Sequence, residues 1–463
     1  MNIIDYSTVI VYLIFVVCIG LVYGARGSAQ SFWVNDRKTS WILLGVSLIA
    51  TQLGAGAIVG IATGTYSGGI GLGVVTMVSS TVGFLALSRL APYIQRFGVI
   101  YDAISLPEFL KVRYGRSCQL AAAIVVLFTY FSLLAAQFLA IGAIVHTWTE
   151  ISFGLAVLIA AVGVVVYISI AGIRGDMVTD VVHFIAMLLV FGVFLIFLMS
   201  GDNSLLTLPD RLPSGFLDPV NFGGWSFLIG GVLFGGVVPL VAVEIWQRAY
   251  AACNPETARR VFAGSLLIII PAYVGAMIIG LYSVLLVPAD TTEDASMFVL
   301  MAEIFPPGLY GFAVVAVFAT ILSTANSMIL VVSASVYRDI FGASFGEGKL
   351  LASRGITFGV GFAGLVFAFL VPSIVQSILN AIYVLGVIAL PIVVGLFWRR
   401  ATNIAATLCI VSGALVTAGF IPIAPKQAFL PGAAVAIVVF FVVTFLTKHG
   451  PSENPDLLDE LRS

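Results

Sequence analysis

Charge is what this chain has least of. Asp, Glu, Lys and Arg make up 9% of its 463 residues, where a soluble globular domain carries about 25%. Cysteine is sparse as well: Cys18, Cys118, Cys253 and Cys409 are far apart and form no CxxC pair. The three histidines, His146, His183 and His449, do not join them, so neither a disulfide framework nor a zinc site is encoded. No GxxxxGK[ST] loop is present, which removes P-loop ATP hydrolysis as an energy source. No basic patch offers itself to nucleic acid, and the net charge is only −1. No nucleophile–base set suggests an enzyme.

In place of charge the chain has 60% hydrophobic residues, against about 45–50% in soluble proteins. Apolar runs of roughly 20 residues, each able to cross about 30 Å of hydrocarbon, recur from end to end. This pattern implies an all-α, polytopic membrane protein whose partner along its length is the lipid bilayer. Thirteen such runs are countable, from 4–24 to 428–447. The first, "MNIIDYSTVIVYLIFVVCIGLVYG", has no basic leader and is longer than a secretory apolar core, so it reads as a retained span rather than a cleaved signal. Thirteen crossings put the termini on opposite sides. With the N-terminus outside and the C-terminus cytoplasmic, all of the 21 basic residues except Arg211 and Lys426 fall inside, as the positive-inside rule requires. The longest inner loop, "RLAPYIQRFGVIYDAISLPEFLKVRYGRS", is basic and amphipathic and is expected to lie along the inner surface. The tail, 448–463, is short and polar and is expected to be mobile. No feature of the sequence sets an oligomeric state.

Two spans are interrupted. The second reads "SLIATQLGAGAIVG", with Gly54, Gly56 and Gly60; the seventh reads "GGVLFGGVVPLVAVEIWQR", with Gly230, Gly231, Gly235, Gly236 and Pro239. Gly231 and Gly235 form a GxxxG, which close helix packing alone would explain. The two interruptions lie five spans apart, however, each first in a block of five. Paired broken helices in corresponding halves mark an alternating-access transporter with its site near the bilayer midplane.

A third stretch, "FATILSTANSMILVV", buries hydroxyls at Thr320, Ser323, Thr324 and Ser327, spaced i, i+3, i+4, i+7 on one helix face. A broken helix frees carbonyls, and a hard cation such as sodium takes oxygen ligands. Ser323 and Thr324 could therefore complete a cation cage walled by the second span. Serine and threonine also back-bond to i−4 carbonyls and pack helices with no ion involved.

Four stretches carry a family resemblance. "STANSMILVVSASVYRDIF" resembles the signature span of the sodium:solute symporter family. "SLIATQLGAGAIVGIATGTYSGGIGLG" resembles its first core helix, "GIRGDMVTDVVHF" its Thr-Asp motif, and "WQRAYAACNPETARR" its Gln-Arg motif. They occur in order over roughly residues 32–415, with a more distant likeness to the choline- and proline-transporter branches. The resemblance implies a LeuT-type 5+5 inverted-repeat core with one helix before it and two after. In this chain that gives an extra helix at 4–24, repeats at 40–200 and 223–398, and two peripheral helices at 402–447.

It further implies a sodium site formed by the carbonyls of Ala50, Leu53 and Thr320 and the hydroxyls of Ser323 and Thr324. Many relatives have alanine where Thr320 stands, which leaves a carbonyl ligand intact. Asp180 matches the acid of the Thr-Asp motif and inherits a role in ion coupling, although an acid near a helix start also suits the dipole. His183 stands where relatives carry glutamine and is assigned no role. The implied function is sodium-coupled import of a small polar organic solute by alternating access, the alternatives being a solute sensor of the same fold or proton coupling.

The substrate would sit beside the ion, near Gln52, Gln137, Glu244 and Ser327. Gln137 could instead bond another helix, and Glu244 could pair with Arg248 at i+4. "TTEDASMFVL" is similar to the choline branch, but Gln52 and Ala242 occupy positions where aromatic side chains would cage a quaternary ammonium. That favours an amino acid or another small charged or zwitterionic metabolite over choline.

Overall fold

The computed structural model describes residues 3–24, 28–54, 57–149, 151–199, 207–306, 308–344, 349–370, 381–424, 427–447, 454 and 456–462. Gly56, Lys426, most of 448–455 and the start of the eleventh apolar run (371–380) lie outside them. The helices in chain order are α1 (Ile3–Tyr23), α2 (Trp41–Gln52), α3 (Ile58–Gly68), α4 (Gly71–Ile100), α5 (Leu106–Tyr114), α6 (Arg116–Thr149) and α7 (Phe153–Met199). There follow α8 (Gly224–Gly235), α9 (Val243–Ala251), α10 (Pro255–Leu286), α11 (Ser296–Ile304), α12 (Tyr310–Ser335) and α13 (Lys349–Ala368). The chain ends in α14 (Ala381–Phe397), α15 (Asn403–Phe420), α16 (Phe429–Leu446) and α17 (Leu457–Arg462).

Ten helical stretches are long and apolar enough to cross a membrane, nine of them single helices and the tenth α8 and α9 taken together across their break. The sequence count of thirteen follows once three features are resolved. The apolar part of α7 runs 46 residues, roughly 70 Å at 1.5 Å per residue and twice a bilayer crossing. It is divided at Gly172, whose φ of 59° breaks the helical path. A Cβ at Gly172 would lie 2.6 Å from the ring of Phe32, so only glycine fits this corner. α2 and α3 are two halves of one broken span, and α14 is a further, shorter apolar helix.

Both interruptions read from glycine are real. α2 stops at Gln52 and α3 restarts at Ile58; α8 stops at Gly235, a 3-10 turn covers Val238–Leu240, and α9 starts at Val243. The packing role of the GxxxG is real as well. A Cβ at Gly231 would lie 2.8 Å from Val75 of α4, and one at Gly235 2.6 Å from Ser79 Oγ. The start of α2 and the end of α9 are joined by backbone bonds, Thr39 N to Ala251 O at 3.0 Å and Cys253 N to Thr39 O at 3.1 Å. Every side chain of α12 from Ala313 to Ser335 is buried except Leu322, so α12 is the central rod against which α2, α6, α7 and α9 pack. Asp5 of α1 is buried and accepts from the N–H groups of Gly308 (3.1 Å) and Gly311 (2.7 Å), satisfying amides at the start of α12.

One expectation for the basic end is corrected. α5, in the longest basic loop, packs one face into the protein: Leu106, Leu110 and Tyr114 are fully buried. A capping box allows this, with Ser105 and Glu108 satisfying the amides at its start. Burial pushes the Glu108 carboxyl up from its usual range, against the pull of Arg338 at 3.2 Å. The tail is not free over its last residues. α17 buries Leu457 and Leu461, Arg96 donates to the carbonyls of Leu461 (2.7 Å) and Arg462 (3.1 Å), and Arg399 pairs with Asp456 at 3.0 Å. Alternating leucines and acids at helical spacing (Leu457, Asp459, Glu460, Leu461) supply both contacts.

Candidate ion and substrate site

The break in α2 meets the middle of α12 at Thr324. Its hydroxyl donates to the carbonyls of Thr51 (3.0 Å) and Thr320 (3.1 Å). Gly54 makes the approach possible, since a Cβ there would lie 1.9 Å from Thr324 Oγ1. A hydroxyl and two main-chain carbonyls thus converge at the break, with Ala50 and Leu53 flanking Thr51 on the same turn. This is an oxygen donor set without net charge, which fits a monovalent hard cation. The Thr320 hydroxyl points elsewhere, to Ala316 O at 2.8 Å, so only its carbonyl faces this point.

Ser323, one residue earlier, turns its hydroxyl to Asp180 Oδ1. Asp180 is fully buried, and its other oxygen accepts from Ser47 Oγ at 2.5 Å. Arg248 lies beside both, 3.5 Å from Asp180 and 3.7 Å from Asp176. Its guanidinium also donates to Ser47 Oγ (3.1 Å), Ser327 Oγ (2.8 Å) and the Thr51 hydroxyl. Ser327 in turn donates to Asp176 Oδ2 at 3.1 Å. Side chains from α2, α7, α9 and α12 therefore form one buried cluster, with two carboxylates facing one guanidinium. Asp180 is held by side chains of three other helices, well past the Gly172 corner, and not by a helix start.

The cluster alters several sequence expectations. Arg248 is not a loop charge: it is 1% exposed and committed to Asp176 and Asp180. Its only bond to Glu244 is to the backbone carbonyl, at 3.4 Å, so the i,i+4 ion pair is not formed. Ser327 belongs to this cluster and does not line the cavity described below. Asp176, Ser47 and Thr51 escaped the sequence reading. Asp176 stands one turn before Asp180, and Ser47 and Thr51 are also i, i+4; each pair marks a polar face, but spacing alone does not say which helices face each other.

On the other side of the break a cavity of about 240 Å³ opens between α2–α3 and α8–α9, with walls from α4, α6 and α14. Gln52, Gln137, Glu244 and Thr324 all line it. The Glu244 carboxylate accepts from the hydroxyl of Tyr130 and, at 3.4 Å, from Gln52 Nε2. Tyr130 also accepts from Val243 N at 2.7 Å, which fixes the start of α9 against α6. The carbonyl oxygen of Gln137 is buried with no hydrogen-bond partner among the described residues. Aromatic side chains of Phe227, Phe234, Tyr273, Tyr383 and Phe429 make up much of the remaining wall.

An all-helical bundle with two broken spans, an oxygen-lined point at one break and a cavity beside it defines a secondary transporter of the LeuT fold. The sodium:solute symporter family profile matches residues 32–413, and the chain belongs to that family. Among curated relatives, the sodium/proline symporter of Staphylococcus aureus (strain JH9) is 25% identical over 96% of this chain and 93% of its own. Among solved structures, a Na+-coupled sialic acid symporter in a substrate-bound outward-open state superposes with a TM-score of 0.82, at 18% identity, over 97% of this chain and 99% of that one. A nucleobase-cation-symport-1 family transporter in a closed conformation gives 0.60 at 16% identity, over 92% and 98%. The chain is a multi-pass membrane protein of a sodium-coupled transport family, and sodium is its coupling ion.

Proposed function

We propose that this protein imports a small polar organic solute, an amino acid or another charged or zwitterionic metabolite, on the inward sodium gradient. The coupling ion is held by the carbonyls of Ala50, Leu53 and Thr320 and the hydroxyls of Ser323 and Thr324. The observation that carries this reading is the bridge from Thr324 to the carbonyls of Thr51 and Thr320, which puts oxygen donors of α12 on the break of α2. An ion there ties the broken span to the central rod. Its release frees them to part, and the coupling is the difference in ion affinity between the two states. Asp180 links the site to Arg248 through Ser323 and so reports ion occupancy to α9.

The repeats at 40–200 and 223–398 rock against each other around this point. The N-terminus lies outside and the C-terminus in the cytoplasm, with the basic end of the bundle inward. A small polar organic solute is the class named for both comparison proteins, one being a proline symporter and another a sialic acid symporter. Sodium-dependent uptake in vesicles tests the site. Ser323→Ala and Thr324→Ala should each raise the sodium concentration for half-maximal uptake, about tenfold for each 1.4 kcal/mol of ion binding lost. A double variant with unaltered sodium dependence refutes the assignment.

A further inference from the structure

The cavity beside the break carries information about what it binds. Glu244 is an acid inside a membrane bundle, and such a residue is rarely left without a partner of opposite charge. Here its partners are neutral, a phenol and a primary amide. No Lys or Arg lines the cavity, and Arg248, the nearest cation in sequence, is committed to Asp176 and Asp180. The negative charge of Glu244 is thus uncompensated among the described residues. Gln137, on α6 about two turns beyond Tyr130, adds a buried carbonyl oxygen with no donor among the described residues. Both groups line one cavity, and both accept hydrogen bonds. The rest of the wall is apolar and aromatic, apart from Thr51, Gln52 and Thr324 at the break and the hydroxyls of Thr76, Ser79 and Ser80 on α4.

From this geometry we infer that the transported solute is a small organic ammonium compound, whose N–H groups donate to Glu244 and Gln137 while its apolar body lies against Phe234 and Tyr383. The inference rests on the symporter reading and narrows it. A sodium-sized ion would leave most of a 240 Å³ cavity unfilled, and a quaternary ammonium has no N–H to give Gln137. A free carboxylate on the solute would enter a cavity that already holds the Glu244 carboxyl and that no Lys or Arg lines among the described residues. The aromatic faces favour a positive charge near them as well. The preference should therefore run amine over amino acid over carboxylic acid for one and the same carbon skeleton.

Matched probes test this on the purified full-length protein in detergent at fixed sodium. Pyrrolidine, proline and cyclopentanecarboxylate form one set; phenethylamine, phenylalanine and 3-phenylpropanoate form a second. A ligand of the folded state raises the melting temperature in proportion to its occupancy. The expected result is a shift by at least one of the amines, larger than that of its amino acid, with none from the acids. Glu244→Gln should weaken that amine at least tenfold, Glu244→Asp should restore part of the affinity, and Gln137→Leu should weaken it several-fold. The sodium-induced shift measured without any solute should persist in these variants and serves as the check that they fold. An amino acid or acid binding better than its amine overturns the inference, as does amine binding indifferent to Glu244→Gln, or no shift from any amine. Absence of the sodium-induced shift in the unaltered protein would instead strike the symporter reading itself.

Discussion

At the scale of single residues, the site depends on two unlike devices. Gly54 is there because nothing larger fits against Thr324, whose hydroxyl would lie 1.9 Å from an added Cβ. Gly54→Ala should therefore cost about 1–3 kcal/mol, as overpacking of a filled interior does, and the melting temperature in detergent should fall accordingly. A melt equal to the parent's would mean that the break and α12 do not approach this closely. Arg248 is the opposite case, a charge retained because two others need it. Arg248→Met leaves Asp176 and Asp180 buried without a counter-charge and should cost on the order of 3–5 kcal/mol. Loss of less than about 1 kcal/mol in a reversible denaturation of that variant would show that the carboxylates do not rely on it.

At the scale of elements, the breaks and the docked tail show how glycine and short amphipathic patterns acquire meaning. The GxxxG of α8 serves packing against α4, while the break that follows it exposes the start of α9 to the cavity. One sequence feature thus has both roles that pattern alone offered as rivals. α17 holds the ends of α4 and α14 together through Arg96, Tyr101 and Arg399. Tyr101 donates to Glu460 at 2.7 Å, and its own titration is pushed up to about 12, by burial first and by that carboxylate second. Replacing Leu457 and Leu461 together by serine removes the apolar contact, each worth at most about 1.5–3 kcal/mol. The tail should then be cut early in limited proteolysis, whereas the parent tail should resist. Equal cutting rates would show that the leucines do not hold it.

At the scale of the whole molecule, the orientation proposal makes a labelling prediction. Cys253 is exposed in the short connection between α9 and α10, at the basic end. Cys118 and Cys409 are buried, and Cys18, though exposed, lies within the apolar α1. A membrane-impermeant maleimide should label inside-out vesicles and spare right-side-out ones, and Cys253→Ala should abolish the signal. Labelling of right-side-out vesicles would reverse the assigned topology.

Hydropathy and the excess of basic residues at one end are legible without a structure, because bilayer thickness and translocation act on local composition. The sequence by itself therefore determined the membrane class, the thirteen spans, the two broken helices and the hydroxyl face of α12. The spacing of Thr320, Ser323, Thr324 and Ser327 is a property of one helix. Which of those hydroxyls meets a carbonyl, which meets Asp180 and which meets Arg248 depends on how four helices cross. That is why Asp176 went unread, why Glu244 and Arg248 proved to be in different networks despite their i,i+4 spacing, and why Ser327 left the cavity for the buried cluster. The polar partners of a buried charge are chosen across helix interfaces, and a periodic sequence pattern fixes only the face that each helix presents. The tertiary structure alone decided that one acid, Glu244, faces the cavity with no Lys or Arg beside it among the described residues, and it is on that acid that the choice of solute turns.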